Sequence, residues 1–194
     1  YGKFWASYRN KKWYQDDVAL QEQTAKLLGF NKVSQLKLAV AKKIRDFVTG
    51  GGFMFAMCSA PESFDIALAA EVVDICSEAF DYDAIDANAQ EKLDFSKCFA
   101  FENFTIVTDP YTYEVSNIDV PQSRARQVKE KDDLFVLFDF SAKWDWVPTM
   151  LTQNHSRVIK GFMGQTTAFM KKFLKSSVLI LGENASLNEA RYIH

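Results

Sequence analysis

The sequence predicts an α/β domain: a three-layer sandwich with a mostly parallel sheet between helices, plus an antiparallel β insertion. Residues 53–57 form an apolar run without alternation, which is typical of a strand covered on both faces. A periodic helix precedes this run, and an Ala/Leu-rich helix follows it. Strand-like runs without intervening helices, over about residues 99–165, indicate the β-rich insertion or extra layer.

Two helices are predicted before the glycine turn. The aromatic and basic residues of 1–14 favour a segment packed on a core over one that stacks on nucleic-acid bases. A helix follows over 15–28 and ends at Gly29. Ser34 is expected to cap a second helix that runs to Val48, with one apolar and one basic face.

The central stretch predicts a turn, a buried strand, a bend and a helix. Gly50–Gly52 form the turn, and the apolar run 53–57 forms the strand. Cys58 stands at the bend, and Pro61 opens a helix that continues to about Ala70. Residues 71–80 predict another short helix.

The second half of the chain predicts strands with irregular connections. Their expected ranges are 99–107, 111–121 at an edge, 134–140, 177–181 and 190–194.

Composition narrows the classes of function. The 194 residues are 48% apolar and 25% charged, with a net charge of −2, so we expect no nucleic-acid partner. No apolar run reaches the length of a membrane span. Three widely spaced cysteines and two histidines indicate no disulfide framework, no metal site and no cofactor.

An acidic loop follows the predicted short helix. Asp81, Asp83 and Asp86 are spaced somewhat like calcium ligands, but Ile85 stands where a third oxygen ligand would belong. The glycine and the closing Glu of such a loop are also absent, so we expect a solvated loop.

Cys58 is the candidate nucleophile. A cysteine between a strand and a helix gains thiolate stabilisation from the helix N-terminus, and the following N–H can stabilise an oxyanion. The flanking glycines of the usual nucleophile elbow are replaced by Ala56 and Ala60, and a buried core cysteine is the alternative. His155, in a polar cluster, is a weak candidate for the base.

The chain opens on Tyr1 without Met, and its end falls within a predicted strand. We therefore expect residues 1–194 to be a single α/β domain that is a fragment of a longer chain. The compartment stays open, and both a cytoplasmic and an exported protein are compatible with the sequence.

Five stretches carry a resemblance to a known family: residues 32–44, 50–65 (GGGFMFAMCSAPESFD), 142–155 (AKWDWVPTMLTQNH), 159–167 (IKGFMGQTT) and 182–194 (GENASLNEARYIH). On these stretches the chain resembles Bacteroidota proteins that carry the label asparagine synthetase B. The family is similar in fold to the flavodoxin-like class I glutamine amidotransferase-like superfamily and to ThuA-like proteins. The ATP-pyrophosphatase loop of glutamine-dependent asparagine synthetases does not occur here, since the only triple glycine leads into Phe53.

The resemblance implies a glutaminase or amidohydrolase acting on a small amide substrate. Cys58 would be the nucleophile, and the Ser59 N–H with the Gly51/Gly52 region would lie near an oxyanion hole. In relatives the histidine of the base region lies beyond the position of residue 194, so the catalytic base is expected outside this fragment unless His155 serves. The alternative is a non-catalytic ThuA-like module that binds a carbohydrate or a protein partner through the N-terminal aromatics and Trp144/Trp146.

Overall fold

A computed structural model describes residues 5–120, 129, 131, 134–137, 158–160, 168–184 and 187–194. The described chain is of mixed α/β type, with helices in its first half and an antiparallel sheet in its second. It divides into two compact units: unit 1 comprises Tyr1–Phe99 and Thr105–Ser116, and unit 2 comprises Ala100–Phe104 and Asn117–His194.

Unit 1 contains five α-helices: α1 (Trp5–Tyr8), α2 (Lys12–Leu27), α3 (Val33–Thr49), α4 (Ala60–Ala69) and α5 (Glu78–Asp81). The predicted end of α2 is confirmed, because Gly29 follows it with a φ of 86° that favours glycine. The start of α3 differs from the prediction, since Lys32 holds the N-cap position and Ser34 is already inside the helix. Pro61 lies in the first turn of α4, as predicted.

The core of unit 1 lies where α3 packs on α4 and α2 packs on α3. Helix α4 contributes the fully buried Leu68 and Ala69 and the buried Ile66, which form its apolar face. Ala41 of α3 and Ala25 of α2 are also buried, and such small side chains allow helices to approach closely.

Unit 2 contains five strands: β1 (Leu134–Leu137), β2 (Val158–Lys160), β3 (Phe169–Met170), β4 (Ile180–Asn184) and β5 (Glu189–Ile193). Their order in the sheet is β2-β1-β4-β5-β3, and every pair is antiparallel. The ladder of β4 and β5 is extended by two hydrogen bonds between the backbones of Leu179 and His194. Strands predicted at 134–140 and 190–194 correspond to β1 and β5, whereas the strand predicted at 177–181 begins three residues later.

The predicted buried strand at residues 53–57 is wrong for the described structure. The segment has no regular secondary structure, and Phe53 and Met57 are 59% and 67% exposed. An apolar run becomes an interior strand only where neighbouring strands take up its backbone groups and layers cover both faces. No described strand pairs with this segment, and the predicted parallel sheet has no counterpart among the described strands, which pair antiparallel throughout.

Three other segments form less regular structure than predicted. The helix expected over 71–80 is limited to α5, since residues 71–77 are turns and loop. The strands expected over 99–107 and 111–121 are represented by single bridges, such as the one between Ile106 and Ser116. Among the described residues, no helix combines the length and the apolar character needed to cross a membrane.

Candidate active site

Cys58 occupies a tight turn that leads directly into helix α4. Its φ is 59°, whereas Ser59 has φ −79° and ψ −1°. The turn is closed by a 3.1 Å hydrogen bond from the Ala60 N–H to the Met57 carbonyl. A positive φ at only the first central residue is the pattern of a type II′ turn, where glycine is the usual residue. A side chain at this position carries backbone strain, as in a nucleophile elbow.

The Cys58 thiol is exposed, in contrast to the other two cysteines. Cys98 is buried, and its Sγ donates to the Asp65 carbonyl at 3.3 Å. Cys76 is half-buried, and burial, followed by the charges of Asp81 and Asp74, raises the pKa of its thiol to about 12. Of the three, Cys58 is the most exposed residue.

The backbone next to Cys58 offers hydrogen-bond donors. Among the described residues, the Ser59 N–H has no acceptor, because the turn uses the Ala60 N–H and the helix begins one residue later. The N-terminal end of α4 also concentrates the positive end of the helix dipole at this point. The predicted oxyanion donor at Ser59 therefore has an uncommitted N–H group in the described structure.

Gly51 and Gly52, the other predicted oxyanion residues, lie at the end of helix α3. The Gly51 N–H donates to the Val48 carbonyl and the Gly52 N–H to the Phe47 carbonyl, both at 2.9 Å. These two N–H groups thus satisfy carbonyls at the helix C-terminus and are not free for an oxyanion in this conformation. The positive φ of Gly51, 96°, explains why glycine occupies that turn.

Two buried carboxylates hold helix α4 in place behind the turn. Glu62, in its first turn, is 2% exposed and accepts a 2.5 Å hydrogen bond from the Ser116 hydroxyl. One turn further on, the buried Asp65 accepts a 2.8 Å hydrogen bond from the Phe99 N–H. The sequence indicates Glu62 only as a favourable charge for the helix dipole, and nothing in the local pattern reveals that it is buried.

The chain has two histidines, His155 and His194. His155, the weak candidate for the base, lies outside the described residues, as do Trp144 and Trp146. His194 pairs through its backbone with Leu179 in unit 2. The described part of unit 1 therefore presents the thiol and the backbone donor without an imidazole.

A second group of titratable residues, which the sequence predicts only as a solvated loop, gathers in unit 1. Lys32 contacts the carboxylates of Asp74, Asp81 and Asp83, and Cys76 lies beside them. Its members are too widely separated in sequence for a local pattern to reveal them.

Comparison of the chain with protein-family models, with curated proteins and with solved structures finds no match.

Proposed function

We propose that the chain carries the nucleophile half of a cysteine-dependent amidohydrolase of the class I glutamine amidotransferase-like type, with Cys58 as the nucleophile. The observation that carries the proposal is the strained turn at Cys58, which exposes the thiol immediately before helix α4. Strained non-glycine residues are frequent at functional sites, where the surrounding structure fixes them. The resemblance of the 50–65 stretch to that superfamily leads to the same chemistry.

In the proposed reaction, the Cys58 thiolate attacks the amide carbon of a small amide substrate such as glutamine. The C–S bond forms as the carbonyl π electrons move to oxygen, and the Ser59 N–H donates a hydrogen bond to this oxyanion. Collapse breaks the C–N bond and releases ammonia, with its proton supplied by a base that has taken the thiol proton. Water then attacks the thioester, giving the carboxylic acid and the free thiol.

The proposal also includes a flavodoxin-like α/β fold as the setting of this chemistry. Two observations support it: the described chain is of mixed α/β type, and the 50–65 stretch resembles the amidotransferase-like superfamily.

Alkylation at low pH tests the nucleophile. The chain is treated with iodoacetamide at pH 6, and modification of each cysteine is followed by mass spectrometry. We expect Cys58 to react at least about tenfold faster in the folded chain than in the chain unfolded in urea, because a nucleophile held in an active site is more reactive than the same thiol in an unfolded chain. The unfolded chain is the control for exposure, since all three thiols are accessible there.

If Cys58 is alkylated no faster in the folded chain than in the unfolded chain, the hypothesis that it is an activated nucleophile is wrong. Its hydrolytic role is tested separately by ammonia release from glutamine. Cys58→Ala should abolish release, while Cys76→Ala should leave it unchanged. Equal release by both variants would place the activity elsewhere.

A second candidate function, the non-catalytic ThuA-like binding module, is favoured by one aromatic surface. Trp13 is 58% exposed and lies 5.3 Å, between ring centres, from Tyr8. Flat exposed rings of this kind suit stacking on a sugar face or on a protein partner. Loss of oligosaccharide binding in Trp13→Ala, with wild-type binding retained in Cys58→Ala, would favour this function over the hydrolase.

A further inference from the structure

A cavity of about 300 Å³ lies within unit 1, against the face of helix α4 that carries Ser63, Ile66 and Ala67. These positions follow the helical spacing i, i+3 and i+4 and therefore share one face. The loop that leads into α5, together with α5 itself, forms a second wall, and residues 106–115 form a third. All three walls belong to unit 1, and Cys58 is not among the described residues that line the cavity.

Hydrogen bonds fix the third wall to the first. The Val107 N–H donates to the Val115 carbonyl at 2.8 Å, and Ile106 forms a bridge with Ser116. The Ser116 hydroxyl in turn donates to the buried Glu62 of α4. The cavity is therefore held open by the fold itself, as small-molecule sites usually are.

Trp5 of helix α1 joins the second wall to the third. Its ring lies 6.2 Å from the Phe80 ring of α5 and 5.4 Å from the Tyr111 ring, measured between centroids. Both contacts are edge-to-face, which is an arrangement that aromatic pairs prefer. Phe80 lines the cavity, so the contact with Trp5 limits the movement of a ring in the cavity wall.

The lining combines apolar side chains with negative charge. Ile66, Ile75 and Phe80 are among its apolar members, and Asp109 and Glu114 bring two carboxylates. Lysine, arginine and histidine do not occur in the part of the lining that the structure describes. A ligand with an apolar body and a positively charged end is complementary to this lining, whereas an anion is repelled by both carboxylates.

Glu114 is better placed than Asp109 to anchor such a ligand. Glu114 is half-buried, whereas Asp109 is exposed. The Tyr111 N–H and the Thr112 hydroxyl donate to Asp109 at 3.0 and 2.8 Å, one to each oxygen, so this carboxylate is engaged in its own turn. A charge pair at a half-buried carboxylate is also screened less by salt than a pair at an exposed one.

The volume of the cavity suits one aromatic ring with a short chain. An apolar cavity of about 150 Å³ is sufficient for benzene. The cavity of unit 1 is about twice as large, which leaves space for a chain of two or three atoms with a polar end. A ring placed there can pack on Phe80 in an aromatic pair.

We propose that this cavity binds a small arylalkylamine, with the ring of the ligand between α4 and Phe80 and its ammonium group at Glu114. Binding is non-covalent and involves none of the chemistry proposed for Cys58. This inference is therefore independent of the proposed hydrolase function.

Isothermal titration of the 194-residue chain with three compounds of similar shape tests the site. The cation is 2-phenylethylamine, the neutral analogue is 2-phenylethanol and the anion is 3-phenylpropionate. At pH 7 we expect one amine per chain, bound about tenfold or more tighter than the alcohol because its hydrogen bond to Glu114 is charge-assisted. The anion should bind more weakly than the alcohol because both carboxylates of the lining repel it.

Two variants separate the charge of the site from its shape. Glu114→Gln should reduce the affinity for the amine to about that of the alcohol and leave binding of the alcohol unchanged, because only the charge is removed. Ala67→Leu should weaken binding of both compounds, because the larger side chain on this face of α4 takes up the space of the ring. Matched controls are Glu78→Gln in α5 and Ala19→Leu in α2, two exposed positions outside the described lining, which should bind as the wild type does.

Thermal unfolding of each variant separates loss of the site from loss of the fold. The proposal is overturned if the chain binds none of the three compounds, if the amine binds no tighter than the alcohol, or if the anion binds as tightly as the amine. It is also overturned if Glu114→Gln weakens the amine and the alcohol by the same factor, or if Ala67→Leu folds and binds the amine as the wild type does. Ammonia release from glutamine is a separate assay, so a failure of either proposal is recognised without the other.

Discussion

The strained turn at Cys58 predicts that the usual order of stability of a glycine variant and an alanine variant is reversed at this position. At an ordinary position, a protein with glycine is less stable than the same protein with alanine, because glycine gives the unfolded chain more conformations to lose on folding. At a φ of 59°, a Cβ atom adds steric strain that glycine avoids. We therefore expect Cys58→Gly to be at least as stable as Cys58→Ala, although both variants remove the thiol.

The expected difference follows from two opposing terms. A left-handed conformation costs a residue with a Cβ about 1–2 kcal/mol, and the extra chain entropy of glycine costs about 0.5–1 kcal/mol. Cys58→Gly should then exceed Cys58→Ala by about 0.5 kcal/mol in free energy of unfolding. Cys58→Val should fall about 1 kcal/mol or more below Cys58→Ala, because β-branched side chains tolerate a positive φ least. The thiol itself adds little, since it is exposed.

Urea unfolding monitored by circular dichroism measures these differences. The variants can be compared when their free energies of unfolding depend on urea concentration with equal slopes. Ala60→Gly provides the control, because Ala60 begins α4 with helical geometry and glycine should cost about 0.5–1 kcal/mol there. The strain is refuted if Cys58→Gly and Ala60→Gly are destabilised alike relative to alanine. In that case the turn would not be the device that presents the thiol.

Three further predictions concern buried contacts and pH. Ser116→Ala should lower the free energy of unfolding by about 1–3 kcal/mol, measured in urea, because the buried Glu62 loses a hydrogen bond. Gly182→Ala should cost about 1–3 kcal/mol by the same assay, since a Cβ would lie 2.6 Å from the buried Phe135 ring. Hydrogen bonds from two lysines lower the pKa of Glu71 from 4.5 to about 2, so its stabilising effect is present above pH 4.5 and is lost as the pH falls toward 2. Thermal unfolding should therefore show Glu71→Gln less stable than wild type at pH 7 and nearly equal to it at pH 2.

Each of these three predictions has its own check: a control variant, a rescue variant or a pH profile that would contradict it. Ser96, whose hydroxyl contacts Asp94 in an exposed turn, should tolerate alanine, and a cost equal to that of Ser116→Ala would contradict the role of burial. In unit 2, Phe135→Leu should partly rescue Gly182→Ala, because the clash is with its ring. For Glu71, a difference between variant and wild type that is constant from pH 7 to pH 2 would contradict the ion-pair explanation.

Helices α2, α3 and α4 of unit 1 could be predicted from the sequence because their signals are local. Gly29 after α2 and Pro61 in α4 mark their ends through backbone geometry that any fold must satisfy. The apolar run 53–57 was misassigned because its composition reports suitability for burial, and pairing depends on partners elsewhere in the chain. The resemblance to the amidotransferase-like superfamily, and the function it implies, stay predictions.

The residues of the candidate site also differ in whether the sequence alone could predict them. Cys58 could be identified from its place between an apolar run and a helix, and the turn geometry supplies a reason for its exposure. Glu62 is indicated only by its position in a first helical turn, and its buried partner Ser116 lies 54 residues away in the sequence. The group formed by Lys32 with Asp74, Asp81 and Asp83 depends on a left-handed Tyr82 and on a lysine at the N-cap of α3, which no local pattern encodes.

Strain at Cys58 requires that the chain be fixed on both sides of it, because a free segment would relax to an ordinary φ. On the C-terminal side, the buried contacts of Glu62 and Asp65 fix helix α4. On the N-terminal side, Gly51 and Gly52 are tied to the end of α3, but the intervening Phe53–Met57 segment makes no ladder among the described residues. On that side the turn is held instead by the hydrogen bond from the Ala60 N–H to the Met57 carbonyl, which closes the chain around Cys58.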